Sequence, residues 1–488
     1  MYVPIDLNTV DGYRTFLRVK SLPVYRFEGR TAFVPDEYAD RLGVVPDRAK
    51  ERKYVPRDWL FDYQRDIAAL AIRKRKYAVF ADCGLGKTPI FLEYIRHVSA
   101  VLPKSKAVLM VCPLMVVRQT IAEAKRFYGD EIPIEQVAAR DLPTWVHKGG
   151  RVGITNYEAI TDDVQQGRLG SLVLDESSML KSHYGKWGTR LIELGRGLEW
   201  KLAGTGTPAP NDRIEYANHA VLLDQFPTVN SFLARFFVNR GQTNERWELK
   251  PHALKPFYRA LSHWCIFLTN PAVYGWKDNC GTLPPINVHI EDVALTQDQR
   301  DKAQVASGDL FGTLGGIGSR AKIARIAKGI DAESIKPQYV VDRVRSFGNE
   351  SRIVWCRYNQ EQDALAAMMP EAGNISGSTP QDERERIVDA FQRGDVKTLI
   401  SKPKILGLGL NLQIATRQVF STLQDSYEEY YQAVKRSNRY GSTMPLNVHI
   451  PVTDLERPMI ETVLRKAKRV QEDATEQEQL FREVGHAG

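Results

Sequence analysis

The chain has 488 residues, too many for one compact core when domains cluster near about 100 to 150, so at least two domains are expected. With 43% hydrophobic and 26% charged residues it is neither disordered nor fibrous. Its longest apolar run, Ala107 to Val117, is broken by Pro113 and falls short of the about 20 residues that span a membrane. The 67 Lys and Arg against 59 Asp and Glu leave a surplus of +8, which is compatible with a polyanionic partner but does not require one.

The N-terminus carries acidic residues and no apolar core of a signal peptide. The five cysteines (Cys83, Cys112, Cys265, Cys280, Cys356) form no CxxC pair and no evenly spaced framework, so the chain reads as cytoplasmic, without a zinc ribbon or disulfide scaffold.

Residues 1–55 form an N-terminal extension whose role is not legible in its composition. From Val55 to about Thr207, short apolar runs alternate with helical stretches: Tyr77 to Ala81, Ala107 to Cys112, Val152 to Thr155, Ser171 to Leu174 and Trp200 to Gly204 are predicted strands. Such alternation predicts an α/β parallel sheet with helices on both faces. A first lobe over 56–290 is therefore expected, with an aromatic-rich helical insertion from about residue 213. The glycines Gly308, Gly312, Gly315, Gly316 and Gly318 follow no strand, so 291–335 reads as a connector rather than a dinucleotide loop. A second lobe over 336–488 repeats the pattern, with strands at Arg352 to Tyr358, Lys397 to Ser401, Arg417 to Ser421 and Leu446 to Val452, and ends in a C-terminal helix.

Chemistry enters at Ala81 to Thr88, ADCGLGKT, directly after the strand YAVFA and before the helical stretch PIFLEYIRHV. Small residues such as Gly84 and Gly86 let backbone N–H groups wrap anionic phosphates at a helix N-terminus. Lys87 would reach the β and γ phosphates of a nucleotide and the Thr88 hydroxyl would ligate Mg²⁺. The run Leu172 to Leu174 then delivers Asp175 and Glu176 to the C-terminal edge of a strand, where ligands bind in open α/β sheets. In that pairing Asp175 holds the Mg²⁺, and Glu176 orients and deprotonates the attacking water.

These motifs define a nucleotide hydrolase, and others narrow the class. In order come FDYQRD, VCPLMVVRQT, ITNYEAI, DESS, AGTGTPAPN, then GLGLNL and QAVKRSNRYG. Together they resemble helicase superfamily two, most closely its Swi/Snf-like branch of DNA-dependent ATPases, over roughly Asp58 to Val470. The resemblance implies two tandem RecA-like lobes that hydrolyse ATP with Mg²⁺ between them, and a compact build similar to bacterial and bacteriophage members. It implies that Gln64 reads the adenine edge, that Gly409 lies beside the nucleotide, that Gln432 contacts the γ phosphate, and that Arg436 and Arg439 are arginine fingers. These two arginines are three apart and would share one face if helical. Thr205, Thr207 and Pro208 match the coupling motif between nucleotide and polymer. Pro113, Arg118, Asn156, Tyr157, Lys402, Lys404 and Asn411 fall where the branch contacts the nucleic-acid backbone, which implies salt-sensitive, sequence-blind binding to DNA.

The chain departs from the branch at two places. DESS stands where DEAH is most common, so Ser178 would replace a histidine, and the paired arginines common near Leu268 and Thr269 are missing. The leading expectation is an ATP-dependent DNA translocase or helicase in replication, recombination or repair. The alternatives are an RNA helicase, the motor subunit of a restriction or defence complex with a partner protein supplying the nuclease, and a non-catalytic nucleic-acid clamp.

Overall fold

The computed structural model describes the chain apart from residues 1, 23–24, 35–37, 45–52, 181–185, 211, 242–246, 278–282, 309–316, 407–409, 411, 424–425, 440–441 and 486–488. The chain divides into two compact units, Met1–Asn279 with Asp473–Gly488, and Cys280–Glu472. Among the described residues no helix is long and apolar enough to cross a membrane.

The first unit opens with a small antiparallel sheet of β1 (Tyr2–Pro4), β2 (Arg26–Glu28) and β3 (Thr31–Phe33), in the order β1-β3-β2, joined by α1 (Val10–Ser21) and followed by α2 (Ala39–Leu42). Val3, Ile5, Val19, Leu22, Ala32 and Val34 give this extension a core of its own. The main sheet follows through α3 (Asp62–Lys74), β4 (Lys76–Ala81), α4 (Lys87–Val101), β5 (Ala107–Cys112), α5 (Leu114–Tyr128), β6 (Ile134–Gln136), α6 (Leu142–Trp145), β7 (Val152–Asn156), β8 (Leu169–Asp175), α7 (Lys186–Gly195) and β9 (Trp200–Gly204). The aromatic-rich stretch supplies α8 (Tyr216–Leu222), α9 (Val229–Phe236), the hairpin of β10 (Phe237–Asn239) and β11 (Trp247–Leu249), α10 (Leu254–Ser262) and β12 (Cys265–Leu268).

Seven strands lie parallel in the order β12-β4-β9-β8-β5-β7-β6. β5 and β8 are buried along their whole length, as strands covered on both faces must be, which is why β5 reads as an unbroken apolar run and β8 carries the apolar stretch Leu172 to Leu174. α4 presses Ile90, Phe91, Tyr94, Ile95 and Val98 onto the sheet, and each such large side chain contributes about 1.5–3 kcal/mol on burial. In the insertion, Phe226, Phe232, Phe236 and Phe257 pack edge to face. The N-terminal extension docks against this region: Arg235 lies 5.9 Å from the Tyr25 ring and the Tyr38 hydroxyl 2.9 Å from His263 Nδ1. Glu478, from the C-terminal segment of this unit, accepts the Thr269 backbone N–H at 3.2 Å, beside the positions where the paired arginines are missing.

The second unit contains β13 (Ile286–Asp292), α11 (Gln297–Gly308), α12 (Ile317–Ala327), α13 (Lys336–Ser346), β14 (Arg352–Trp355), α14 (Asn359–Met368), β15 (Gly373–Asn374), α15 (Gln381–Arg393), β16 (Thr398–Ser401), α16 (Pro403–Leu406), β17 (Arg417–Phe420), α17 (Tyr427–Val434), β18 (Leu446–Val452) and the start of α18 (Arg457–Gly485). Its six strands are also parallel, in the order β13-β18-β17-β14-β16-β15. β13 pairs with β18 along all seven of its residues, and the unit, which begins at Cys280, takes in this strand across the expected boundary at 290 between first lobe and connector. Each unit is thus a parallel sheet flanked by helices, a RecA-like lobe, as expected.

Candidate nucleotide site and its neighbours

The phosphate loop leaves the C-terminal end of β4 and enters α4 at Lys87. Gly84 at φ 91° and Gly86 at φ 62° adopt the left-handed backbone that glycine tolerates without steric cost. A side chain at Gly86 is also excluded by space, since a Cβ there would lie 2.3 Å from Gln64 Nε2. Two consecutive residues of α3 hold the loop from one side. The Tyr63 hydroxyl donates to Leu85 O at 3.0 Å, and Gln64 Nε2 donates to Gly86 O at 3.2 Å. Gln64 Oε1 accepts Phe61 N–H at 3.1 Å, so the buried amide is anchored to backbone at both ends, with one N–H outside these two bonds. Lys87 Nζ donates to Ala81 O at 2.9 Å, which folds its ammonium back over the loop.

One strand, β9, separates β4 from β8, and its register places Gly204 opposite both Val79 and Asp175. The acidic pair, the loop and the coupling motif therefore leave the same edge of the sheet together. Tyr157, buried beneath them, donates to Asp175 O at 2.7 Å. Glu176 holds φ at 53°, a left-handed conformation that costs a residue with a Cβ about 1–3 kcal/mol and persists only where neighbours enforce it. Its N–H donates to Asp175 Oδ1 at 2.9 Å, and its Oε2 accepts the Thr205 hydroxyl at 3.0 Å. Thr207 N–H in turn donates to Thr205 Oγ1 at 3.1 Å. Pro208 follows half-buried, while Gly206 packs on the loop, with its Cβ position 3.4 Å from Ala81 O and Cys83 Sγ.

Burial, and then the charge of Glu176, push the Asp175 carboxyl up to about 7, against the opposing pull of Lys87. A carboxylate pair so enclosed is short of positive charge. With the Thr88 hydroxyl at the start of α4, the residues fit an oxygen-seeking divalent cation such as Mg²⁺.

In the second unit, α17 stops at Val434, so Arg436 and Arg439 lie on the turns after it rather than on one face of a helix as expected. The cause is local: Ser437 and Asn438 N–H both close on Val434 O, and Ser442 Oγ accepts Arg439 N–H at 3.1 Å. Arg436 is 4% exposed and its carbonyl accepts Leu412 N–H at 3.1 Å. Arg439 Nη1 donates to Leu410 O at 3.4 Å, and its carbonyl accepts Gln413 Nε2 at 3.3 Å. The arginine turn is thereby tied to Leu410, Leu412 and Gln413. Gln432 sits on α17 and donates to Glu428 Oε1 at 3.4 Å. Gly409 and Asn411 lie outside the described residues.

The nucleic-acid candidates divide by exposure. Arg118 and Lys404 are exposed, the latter 3.5 Å from Glu429, and Lys402 is half-buried against Asn359. Asn156 donates to Glu158 Oε2 at 2.7 Å. Pro113 caps α5 from a buried position. Tyr157 is a correction: at 1% exposed, with its hydroxyl on Asp175 O, it supports the acidic strand from beneath and offers no surface to a polymer. Sequence reasoning missed the loop contact of Tyr63, although that residue adjoins Gln64. It also missed His219, whose Nε2 lies 2.9 Å from Ser177 Oγ and which no motif marks.

Comparison with known proteins gives the same picture. The SNF2-related domain model matches residues 64–334, and the model of the helicase conserved C-terminal domain matches residues 336–441. The chain is 24% identical over 443 residues to a SWI/SNF-related matrix-associated actin-dependent regulator of chromatin subfamily A-like protein 1 of Drosophila melanogaster, covering 85% of this chain and 56% of the relative. It is 23% identical over 454 residues to protein p41 of Acyrthosiphon pisum secondary endosymbiont phage 1, covering 84% of this chain and 96% of that one. Among solved structures it resembles a Sulfolobus solfataricus SWI2/SNF2 ATPase core in complex with dsDNA, with TM-score 0.41 and 17% identity over 83% of this chain and 90% of that one. With more than half of its length matched by the SNF2-related model, and the phosphate loop, acidic pair and coupling threonines at one sheet edge, the chain belongs to the SNF2-related family of helicase-type ATPases.

Proposed function

We propose that the protein is an ATP-dependent DNA translocase or helicase that serves DNA replication, recombination or repair in the cytoplasm of a bacterial or phage-infected cell. The observation that carries the ATPase reading is the Thr205 hydroxyl on Glu176 Oε2, at the same edge as the loop that Lys87 closes. Glu176, held by that contact, orients the attacking water and takes its proton. Lys87 leaves Ala81 O to meet the β and γ phosphates, while Gln64 steadies the loop and turns its remaining N–H to the adenine. Mg²⁺, when held by Thr88 and Asp175, supplies positive charge to the phosphate oxygens. Arg436, Arg439 and Gln432 act on the same ATP in this reading, stabilising charge that builds on the γ phosphate.

DNA is the proposed polymer, duplex or branched and bound without regard to sequence, with Arg118, Asn156, Lys402, Lys404 and Asn411 on the phosphate backbone and Pro113 placing the start of α5. Support comes from the family and from the link that Thr205 and Thr207 make between the acidic pair and the segment ending in Pro208. The test is ATP turnover without polymer and with single-stranded, duplex or forked DNA or RNA, in wild type, Lys87→Ala and Arg439→Ala. Stimulation by DNA, loss of turnover in Lys87→Ala, and a fall of at least about a hundredfold in kcat for Arg439→Ala are expected. Stimulation by RNA alone refutes the DNA assignment, and turnover surviving Lys87→Ala refutes the site.

A further inference from the structure

The turn Ser177–Leu180, directly behind Glu176, is gripped at both ends by one helix. α8 opens the helical insertion, and two adjacent residues on it reach back to this turn. Asn218 Nδ2 donates to Leu180 O at 2.5 Å, and His219 Nε2 lies 2.9 Å from Ser177 Oγ. Ser177 and His219 are wholly buried. The His219 ring also stands edge-on to Phe80, the β4 residue just before Ala81, at 5.2 Å and 87°. One imidazole therefore touches the strand that feeds the phosphate loop and the turn that follows the acidic pair.

The left-handed backbone of Glu176 needs restraint on both sides. Tyr157 fixes the carbonyl before it and Thr205 fixes its side chain. Behind it the restraint comes from α8. The DESS motif has no histidine of its own, and His219 brings an imidazole to it from the insertion.

We propose that His219 is a positioning residue for hydrolysis: it holds Ser177, and with Asn218 the whole turn, so that Glu176 keeps the conformation that presents its carboxylate to Thr205. The inference rests on the ATPase reading above. Burial pushes the ring down to about 4, so it is neutral under working conditions and acts by hydrogen bonding and packing rather than by charge. Ser177 Oγ is the side-chain partner of the ring, and the backbone of Glu215 and Ser177 also favours its protonated form against burial.

The experiment is DNA-stimulated ATPase kinetics on the full chain, with ATP affinity measured separately by a fluorescent nucleotide analogue. The variants are His219→Ala, His219→Gln, Ser177→Ala and the double His219→Ala/Ser177→Ala. Loss of one buried hydrogen bond predicts that His219→Ala and Ser177→Ala each lower kcat about tenfold while ATP affinity stays within about twofold. The double variant should be no worse than either single one, because both remove the same contact, and His219→Gln should restore most of the rate. Wild-type kcat in His219→Ala overturns the proposal, as does a loss of rate matched by equal loss of ATP affinity, or a double variant whose losses multiply. If His219→Ala fails to fold, Ser177→Ala, which removes a single oxygen, decides the matter by the same kcat and affinity readings. Wild-type and Lys87→Ala turnover are read first: if they do not differ, the ATPase reading fails and this inference with it.

Discussion

Thr205 donates its hydroxyl to Glu176 Oε2 at 3.0 Å while accepting the Thr207 N–H at 3.1 Å, so the coupling motif and the acidic pair meet through one oxygen atom. In the proposed ATPase reading, a displacement of Thr207 would reach Thr205 and, through it, the Glu176 carboxylate proposed to aim the attacking water. Thr205→Val keeps the shape and removes the link. Loss of a hydrogen bond to a charged group, about 1.5–3 kcal/mol, predicts a fall in kcat of about ten- to a hundredfold with little change in ATP affinity. Steady-state turnover beside a nucleotide titration checks this, and a variant with wild-type kcat would remove Thr205 from the coupling path.

Asp175 supplies a pH test. Its carboxyl is pushed from 3.8 up to about 7 by burial and then by Glu176. The folded state thus binds a proton that the unfolded state has released between about pH 4 and 7, so this residue costs stability increasingly as pH rises through that window. Asp175→Asn should therefore raise the melting temperature of the nucleotide-free protein at pH 8, by a gain on the order of 2 kcal/mol or more, while abolishing turnover. The gain should shrink as pH falls from 7 towards 4. Thermal melts at pH 8 and pH 5 test it, and a variant less stable than wild type at pH 8 refutes the assignment.

The predictable parts of the fold are those where burial on both faces leaves a continuous apolar run. AVLMVC at Ala107–Cys112 is such a run, while WKLAG at Trp200–Gly204 and LNVHIPV at Leu446–Val452, largely apolar but interrupted by Lys201, Asn447 and His449, are also strands over the residues the sequence suggested. β12 escaped notice because CIFL is short, lacks alternation and adjoins an amphipathic helix, so nothing local separates it from a buried helical stretch. β13 escaped because INVHIED is largely exposed and is a strand only through its pairing with β18. The phosphate loop and acidic pair were legible because their chemistry fixes residue types at fixed spacing. The supports were not: Tyr157 lies in a motif that pointed to the polymer but reaches Asp175 through a tertiary contact, and His219 reaches Ser177 from a segment with no local pattern.

Gln64 separates loop support from base reading. Its Nε2 holds Gly86 O while its Oε1 caps α3 through Phe61 N–H. Gln64→Glu keeps the acceptor, removes the donor and places a negative charge beside a phosphate-binding loop. A rise of about tenfold or more in the KM for ATP is expected, from the lost charge-free donor and the added repulsion. Because the remaining N–H is the one proposed to face the adenine, preference for ATP over GTP should fall as well. Unchanged preference with raised KM would leave Gln64 as a loop brace alone.

The second unit depends on a buried ion pair. Lys336 begins α13 and Glu456 precedes α18, and both are nearly inaccessible to solvent. Lys336 Nζ lies 2.9 and 2.7 Å from the two Glu456 oxygens, and Thr453 donates to Oε2 through its N–H at 3.2 Å and its hydroxyl at 2.9 Å. Buried Lys328, pushed down to about 8 by desolvation, has the same carboxylate as the leading influence favouring its charge. Breaking a buried pair costs about 3–5 kcal/mol because the remaining charge is stranded. Glu456→Leu strands two lysines, whereas Lys336→Met leaves Glu456 with its threonine contacts and Lys328. Urea denaturation should therefore show Glu456→Leu losing more stability than Lys336→Met, and Lys336→Met/Glu456→Leu recovering part of the difference. Equal losses in the two single variants would mean that Lys328 draws no stabilisation from Glu456.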